Sequence, residues 1–112
     1  MATFEETVKV FEAEMDKLGI HYQQELFHAV TKSIGPSIYL NDASKVSCSQ
    51  QSELDTVKNN FLIGKLGLED SPALDEAMKE VCSAMGTSNP NKYRACFYYM
   101  LVAKFNKEDM FQ

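Results

Sequence analysis

The chain has 112 residues, an apolar share of 45%, a charged share of 24% and a formal net charge of −5. That length suits one domain, 1–112, and no apolar run approaches the ~20 residues of a membrane span. The acid excess repels phosphate backbones at long range and the bases are dispersed, so neither nucleic acid nor membrane is expected as a partner.

The charge is unevenly spread. Residues 1–25 carry six acids and two bases, giving −4, and residues 69–80 carry five acids and one base, again −4. Residues 26–68 sum to +1 and residues 81–112 to +2, which completes the −5. Three cysteines, an odd number, argue against a disulfide framework. Cys82 and Cys96 fall on inward helix faces, where small buried thiols are common. With no charged leader ahead of an apolar core, the expected compartment is the cytoplasm, with thiols reduced.

Thr3 and Glu6 have the spacing of a capping box and open the first predicted helix. Phe4, Val8, Phe11, Met15 and Leu18 form a stripe about 80° wide, with Glu5, Lys9, Glu12 and Asp16 elsewhere. Gly19 ends the helix and Ile20 folds back on its last turn, as in a Schellman motif. A second helix follows at once, with Tyr22, Leu26, Ala29, Val30 and Ile34 as its apolar face, and Gly35-Pro36 stops it. Pro36 to Ser49 is the least regular stretch. There Asn41-Asp42-Ala43-Ser44 reads as a turn, Val46 points inward, and Ser49 is the expected N-cap of the third helix.

Leu54, Val57, Phe61 and Leu62 are the buried residues of that helix; Gly64 is tolerated within it and Gly67 stops it. Ser71-Pro72 starts the fourth helix, whose period places Leu74, Ala77, Met78, Val81, Cys82 and Met85 inside before Gly86 closes it. Ser88-Asn89-Pro90 starts the fifth, expected to reach about Phe105. Its segment Ala95 to Ala103 has no charge or amide on any face, which is the reading of a helix surrounded by others. Met110-Phe111 is expected to fold back onto the domain. The fold class is therefore all-α: a compact bundle of about five helices around a central, mostly apolar C-terminal helix.

Val46-Ser47-Cys48-Ser49, Leu54-Asp55-Thr56-Val57, Lys65-Leu66-Gly67-Leu68, Tyr93-Arg94 and Phe97-Tyr98-Tyr99 resemble a small bacterial family, domain-of-unknown-function family 2853. The likeness covers about two thirds of the chain and implies a bacterial, mostly helical, single-domain protein. It brings no activity, ligand or catalytic residue with it. Gln50 stands where the family pattern has an acidic residue after the third-helix cap.

Four constellations bear on function. His21, Glu25 and His28 share one side of the second helix at i, i+4 and i+7. Two imidazoles and a carboxylate suit zinc or iron, but no matching ligands come from elsewhere, so a solvated face is expected and no metal is assigned. Cys48 precedes a helix N-terminus, where a thiol can be activated, yet no base or Cys-x-x-Cys accompanies it, and a small packed residue is expected. Tyr93, Phe97, Tyr98 and Tyr99 are expected in the core, with Arg94 paired to Asp75, Glu76 or Glu80; an anion site is the other reading. Glu69, Asp70, Asp75 and Glu76 lack the ligand spacing of a calcium loop.

No catalytic, cofactor-binding or metal residue follows from these patterns, and no cofactor is expected. The leading reading is a non-enzymatic binding or protein-interaction module, with a protein partner or a second copy of the chain as its target. The alternative is a small enzyme or thiol redox sensor using Cys48.

Overall fold

The computed structural model describes residues 3–40, 44–86, 89 and 92–111. These form five α-helices: α1 (Phe4–Leu18), α2 (Gln24–Ile34), α3 (Gln51–Val57), α4 (Pro72–Met85) and α5 (Arg94–Lys104). Single 3-10 turns occupy Pro36–Tyr39 and Glu108–Phe111, and a π-helical segment, Lys58–Ile63, continues α3. Among the described residues there is no strand, only an isolated antiparallel bridge between Lys45 and Tyr93. None of these helices is long and apolar enough to cross a membrane.

The apolar C-terminal helix is central, as expected. α5 packs against α1, α2 and α4. Ala95, Cys96, Phe97, Tyr98, Tyr99, Leu101 and Val102 are all buried, because α5 has neighbours on most of its circumference. Ser88 and Pro90 of the expected start lie outside the described residues, and the regular helix begins at Arg94, four residues beyond Pro90. The Asn41-Asp42-Ala43 part of the expected turn likewise lies outside them.

α1 follows its sequence signals closely. The Glu6 amide donates to Thr3 Oγ1 at 3.2 Å, and the Thr3 amide donates to Glu6 Oε1 at 3.1 Å. The bond from the Thr3 amide is the main reason that the Glu6 carboxyl is held below its ordinary value, since it favours the charged form. At the other end Gly19 adopts φ 71°, and the Ile20 amide reaches Met15 O at 3.0 Å, which completes the Schellman motif. The inner face is wider than the stripe. Glu12 and Glu14 are buried beside Val8, Phe11 and Met15, contrary to the outward position expected of Glu12. Glu14 accepts from Asn89 Nδ2 at 3.0 Å, so this carboxylate ties α1 to the end of α4.

α2 begins at Gln24, later than expected, and is rotated relative to the predicted face. Phe27 and Thr31 join Leu26 and Val30 inside. Thr31 is tolerated there because its hydroxyl donates to Phe27 O at 2.7 Å. No residue next to the helix caps it. Instead the Gln23 amide donates to the Tyr99 hydroxyl at 2.9 Å, a cap supplied by the central helix.

α3 also departs from expectation. Gln50, not Ser49, holds the cap position, and Ser49 Oγ lies 3.2 Å from Ser47 Oγ instead. The helix then widens: the Gly64 and Leu66 amides reach back five residues to Asn59 O and Phe61 O, at 3.0 and 2.9 Å. Gly64 is required here rather than merely tolerated. A Cβ at this position would sit 2.8 Å from Asn60 O and 3.0 Å from Asn59 O, both backbone atoms with no freedom to withdraw. On α4 all six predicted inward residues are buried.

Candidate functional site

A hollow with a mixed polar and aromatic lining lies where the end of α2, the α3–π segment and the start of α5 converge. It has a volume of about 340 Å³. Ser37, Thr56, Asn60, Lys65, Arg94 and Tyr98 supply its polar lining, and Phe61 and Ile34 its apolar part. The π segment shapes one wall: its wider turn leaves Asn60 exposed while Phe61 and Leu62, adjacent in sequence, are both buried.

Arg94 is the best-anchored cation. Its Nη1 donates to Tyr98 Oη at 3.1 Å, and its Nη2 donates to Lys45 O at 3.4 Å. Nη2 also lies 3.9 Å from Glu53 Oε1 on α3, so the ion pair forms with Glu53 and not with Asp75, Glu76 or Glu80 as expected. Those acids serve elsewhere. Glu80 pairs with Lys104, and Asp75 joins Asp70 around Lys58, at 3.6 and 3.2 Å. Hydrogen bonding to Asp70 is the main reason that the Lys58 ammonium is held above its ordinary value. The acidic stretch is thus bridged by lysine.

The aromatic floor is rigid. Phe61 stacks on Tyr98 with ring centroids 3.9 Å apart and planes 20° apart, and the Arg94 guanidinium lies 5.7 Å from the Tyr98 centroid. Tyr98 is therefore both core and cavity wall, whereas Phe97 and Tyr99 are core. Lys65 stands across from Arg94 with its ammonium 5.8 Å from the Phe111 ring, so the C-terminal segment does fold back against the bundle. A second, adjoining hollow shares Ser33 and Lys65 with the first and adds Lys32. Among the described residues no carboxylate lines either hollow and no acid pairs with Lys65, while Glu53 flanks Arg94 from α3. In a chain of net charge −5, the charged side chains among the described lining residues are all cations. Sequence reading reached Arg94 and Tyr98 but missed Lys65, Asn60 and Thr56. Asn60 lies within the π segment and Lys65 just beyond it, where a helical period does not place them.

The histidine stripe does not assemble. His21 precedes α2 and is exposed, as is Glu25. His28 is half-buried, its ring edge-on to Phe4 at 6.0 Å and its Nε2 3.9 Å from Glu12 Oε2. No group of three metal-ligating side chains occurs among the described residues. His28 is thus a contact between α1 and α2 and not part of a solvated face. Glu12 Oε2 is buried with no hydrogen-bond partner among the described residues, and His28 Nε2 stands 3.9 Å from it. His28→Ala is expected to cost about 1–2 kcal/mol in a urea melt, because it isolates that buried carboxylate oxygen. A loss within about 0.5 kcal/mol would mean that the histidine behaves as a surface residue.

The cysteines give the largest correction. Cys48 and Cys82 form a disulfide across 34 residues, with Cα atoms 6.1 Å apart, and only Cys96 is a free thiol. Neither Cys48 nor Cys82 is the reduced, packed thiol expected. The odd count misled, because it combines one bonded pair with one buried thiol, and pairing cannot be deduced from sequence alone. Cys96 Sγ donates to Phe11 O at 3.4 Å, and burial pushes this thiol far above its ordinary value.

The architecture is that of a small all-α domain with a cationic, hydroxyl-lined hollow and one internal crosslink. A family model described as "Protein of unknown function (DUF2853)" matches residues 10–109, and the chain belongs to that family. A search of curated proteins found no match.

Proposed function

We propose that this protein is a non-enzymatic binding module whose ligand is a small organic anion, carrying a carboxylate or phosphate, held in the hollow between α2, α3 and α5. One observation carries the reading: in an acidic protein, the charged side chains among the described residues that line this cavity are two cations, Arg94 and Lys65. Arg94, anchored by Tyr98 and Lys45 O and flanked by Glu53, contributes fixed positive charge beside the hollow, and Lys65 the more accessible ammonium for a carboxylate or phosphate group. Ser37, Thr56 and Asn60 can accept or donate to the remaining oxygens, and the stacked Phe61–Tyr98 pair gives the organic part an apolar wall. The residues lining the cavity are hydroxyls, an amide, cations and rings, which serve binding better than bond-breaking. A bacterial cytoplasm is the setting of this reading. Disulfides there are uncommon except where they are opened and closed in use.

Among the described residues the exposed large apolar side chains, Val10, Tyr39, Leu40 and Met110, fall in three separate parts of the chain, which favours a small ligand over a docked protein. Titration with inorganic phosphate, followed by the amide resonances of Asn60 and Tyr98, tests the proposal. Saturable shifts are expected, and Lys65→Gln or Arg94→Gln should each weaken binding about tenfold, ~1.4 kcal/mol. Lys65 is exposed, so its variant separates lost affinity from lost fold. Shifts that fail to saturate, that chloride reproduces, or that Lys65→Gln leaves unchanged would remove the reading.

A further inference from the structure

We infer that the Cys48–Cys82 disulfide is a reversible dithiol–disulfide centre, opened by low-molecular-weight thiols attacking the Cys48 sulfur. The two halves are unequal in access. Cys48 is half-buried in the irregular stretch between the Lys45–Tyr93 bridge and α3, whereas Cys82 is buried on the inner face of α4, 8% exposed. An external thiolate therefore reaches Cys48. Its sulfur bonds to Cys48 Sγ, the Cys48–Cys82 bond breaks, and Cys82 leaves as a thiolate that takes up a proton. A second thiolate attacks the small-molecule sulfur of the mixed disulfide. That releases Cys48 as a thiolate and the small molecule as its own disulfide. Two small thiols are oxidised and one protein disulfide is reduced.

Two features suit the pair to repeated opening. First, both helices keep apolar anchors of their own when the bond is open. α3 remains anchored beyond Cys48 by buried Leu54 and Val57, and α4 on either side of Cys82 by Leu74, Met78 and Met85. Second, the remaining thiol stays out of the exchange, because Cys96 is fully buried and bonded to Phe11 O, so the open form has only one partner to re-pair with. What opening releases is the tether between the N-terminal end of α3 and α4. The segment spanned by the tether carries Thr56, Asn60, Phe61 and Lys65.

The full-length chain, without denaturant, is equilibrated in a series of reduced and oxidised glutathione, alkylated, and weighed by mass spectrometry beside its circular dichroism. The expected result is that two thiols become alkylatable in reduced glutathione, revert in oxidised glutathione, and leave the helical signal unchanged. In single-cysteine comparisons, Cys82→Ser, which leaves Cys48 unpaired, should form a glutathione mixed disulfide about tenfold or more faster than Cys48→Ser does at Cys82. A disulfide that opens only in denaturant, a helical signal lost on reduction, or faster reaction at Cys82 would each overturn the inference and leave a static crosslink.

Discussion

Phe97→Ala is expected to lower the unfolding free energy by about 3–5 kcal/mol, the largest effect of any single truncation argued for this chain. The Phe97 ring is fully buried on α5, with buried Leu101 one turn on. α5 is enclosed by α1, α2 and α4, so three helices would have to shift together to fill the vacated space. Partial collapse of that kind leaves a cavity, and the cavity adds to the lost transfer free energy. Against a total stability of about 5–15 kcal/mol, the variant should still fold, with a markedly lower urea midpoint. A shift of less than about 1 kcal/mol would mean that α5 is not the packed centre.

Cys82→Ser is expected to cost about 2–4 kcal/mol, the second largest effect. The crosslink joins residues 34 apart, so cutting it returns a long loop's worth of freedom to the unfolded chain, in the chain-entropy account of disulfide stabilisation. Denaturant melts of this variant and of the chemically reduced wild type should agree, because both remove the same constraint. The variant should remain folded in water, since the apolar cluster runs through all five helices without it. Melts in which reduction changes nothing would show that the bond contributes no net stability.

The sequence alone was enough to place the five helices, because the signals that place them are local. The Thr3–Glu6 box, the Gly19 stop and the inward residues of α4 depend on positions within one or two turns. The structure carries each of them as read. Burial all round Ala95 to Val102 was legible for the same reason: a helix without a polar face has to be covered.

Tertiary structure decided which distant residues meet. Arg94 faces Glu53 and Lys45, where its nearest candidates in sequence were the acids of α4. Tyr99 caps α2 from 76 residues away, and Cys48 finds Cys82 across 34. Glu12 and His28 lie further inside than the apolar stripes of α1 and α2 implied, because the two helices meet at that pair. The π widening at Lys58–Ile63 turned an ordinary helical segment into a cavity wall, with Gly64 the single residue that admits the backbone carbonyls behind it. Helical period and caps act within a few residues and can be read in one dimension. Charge pairing, disulfide connectivity and the sign of a cavity depend on separations in space that only the packed helices define.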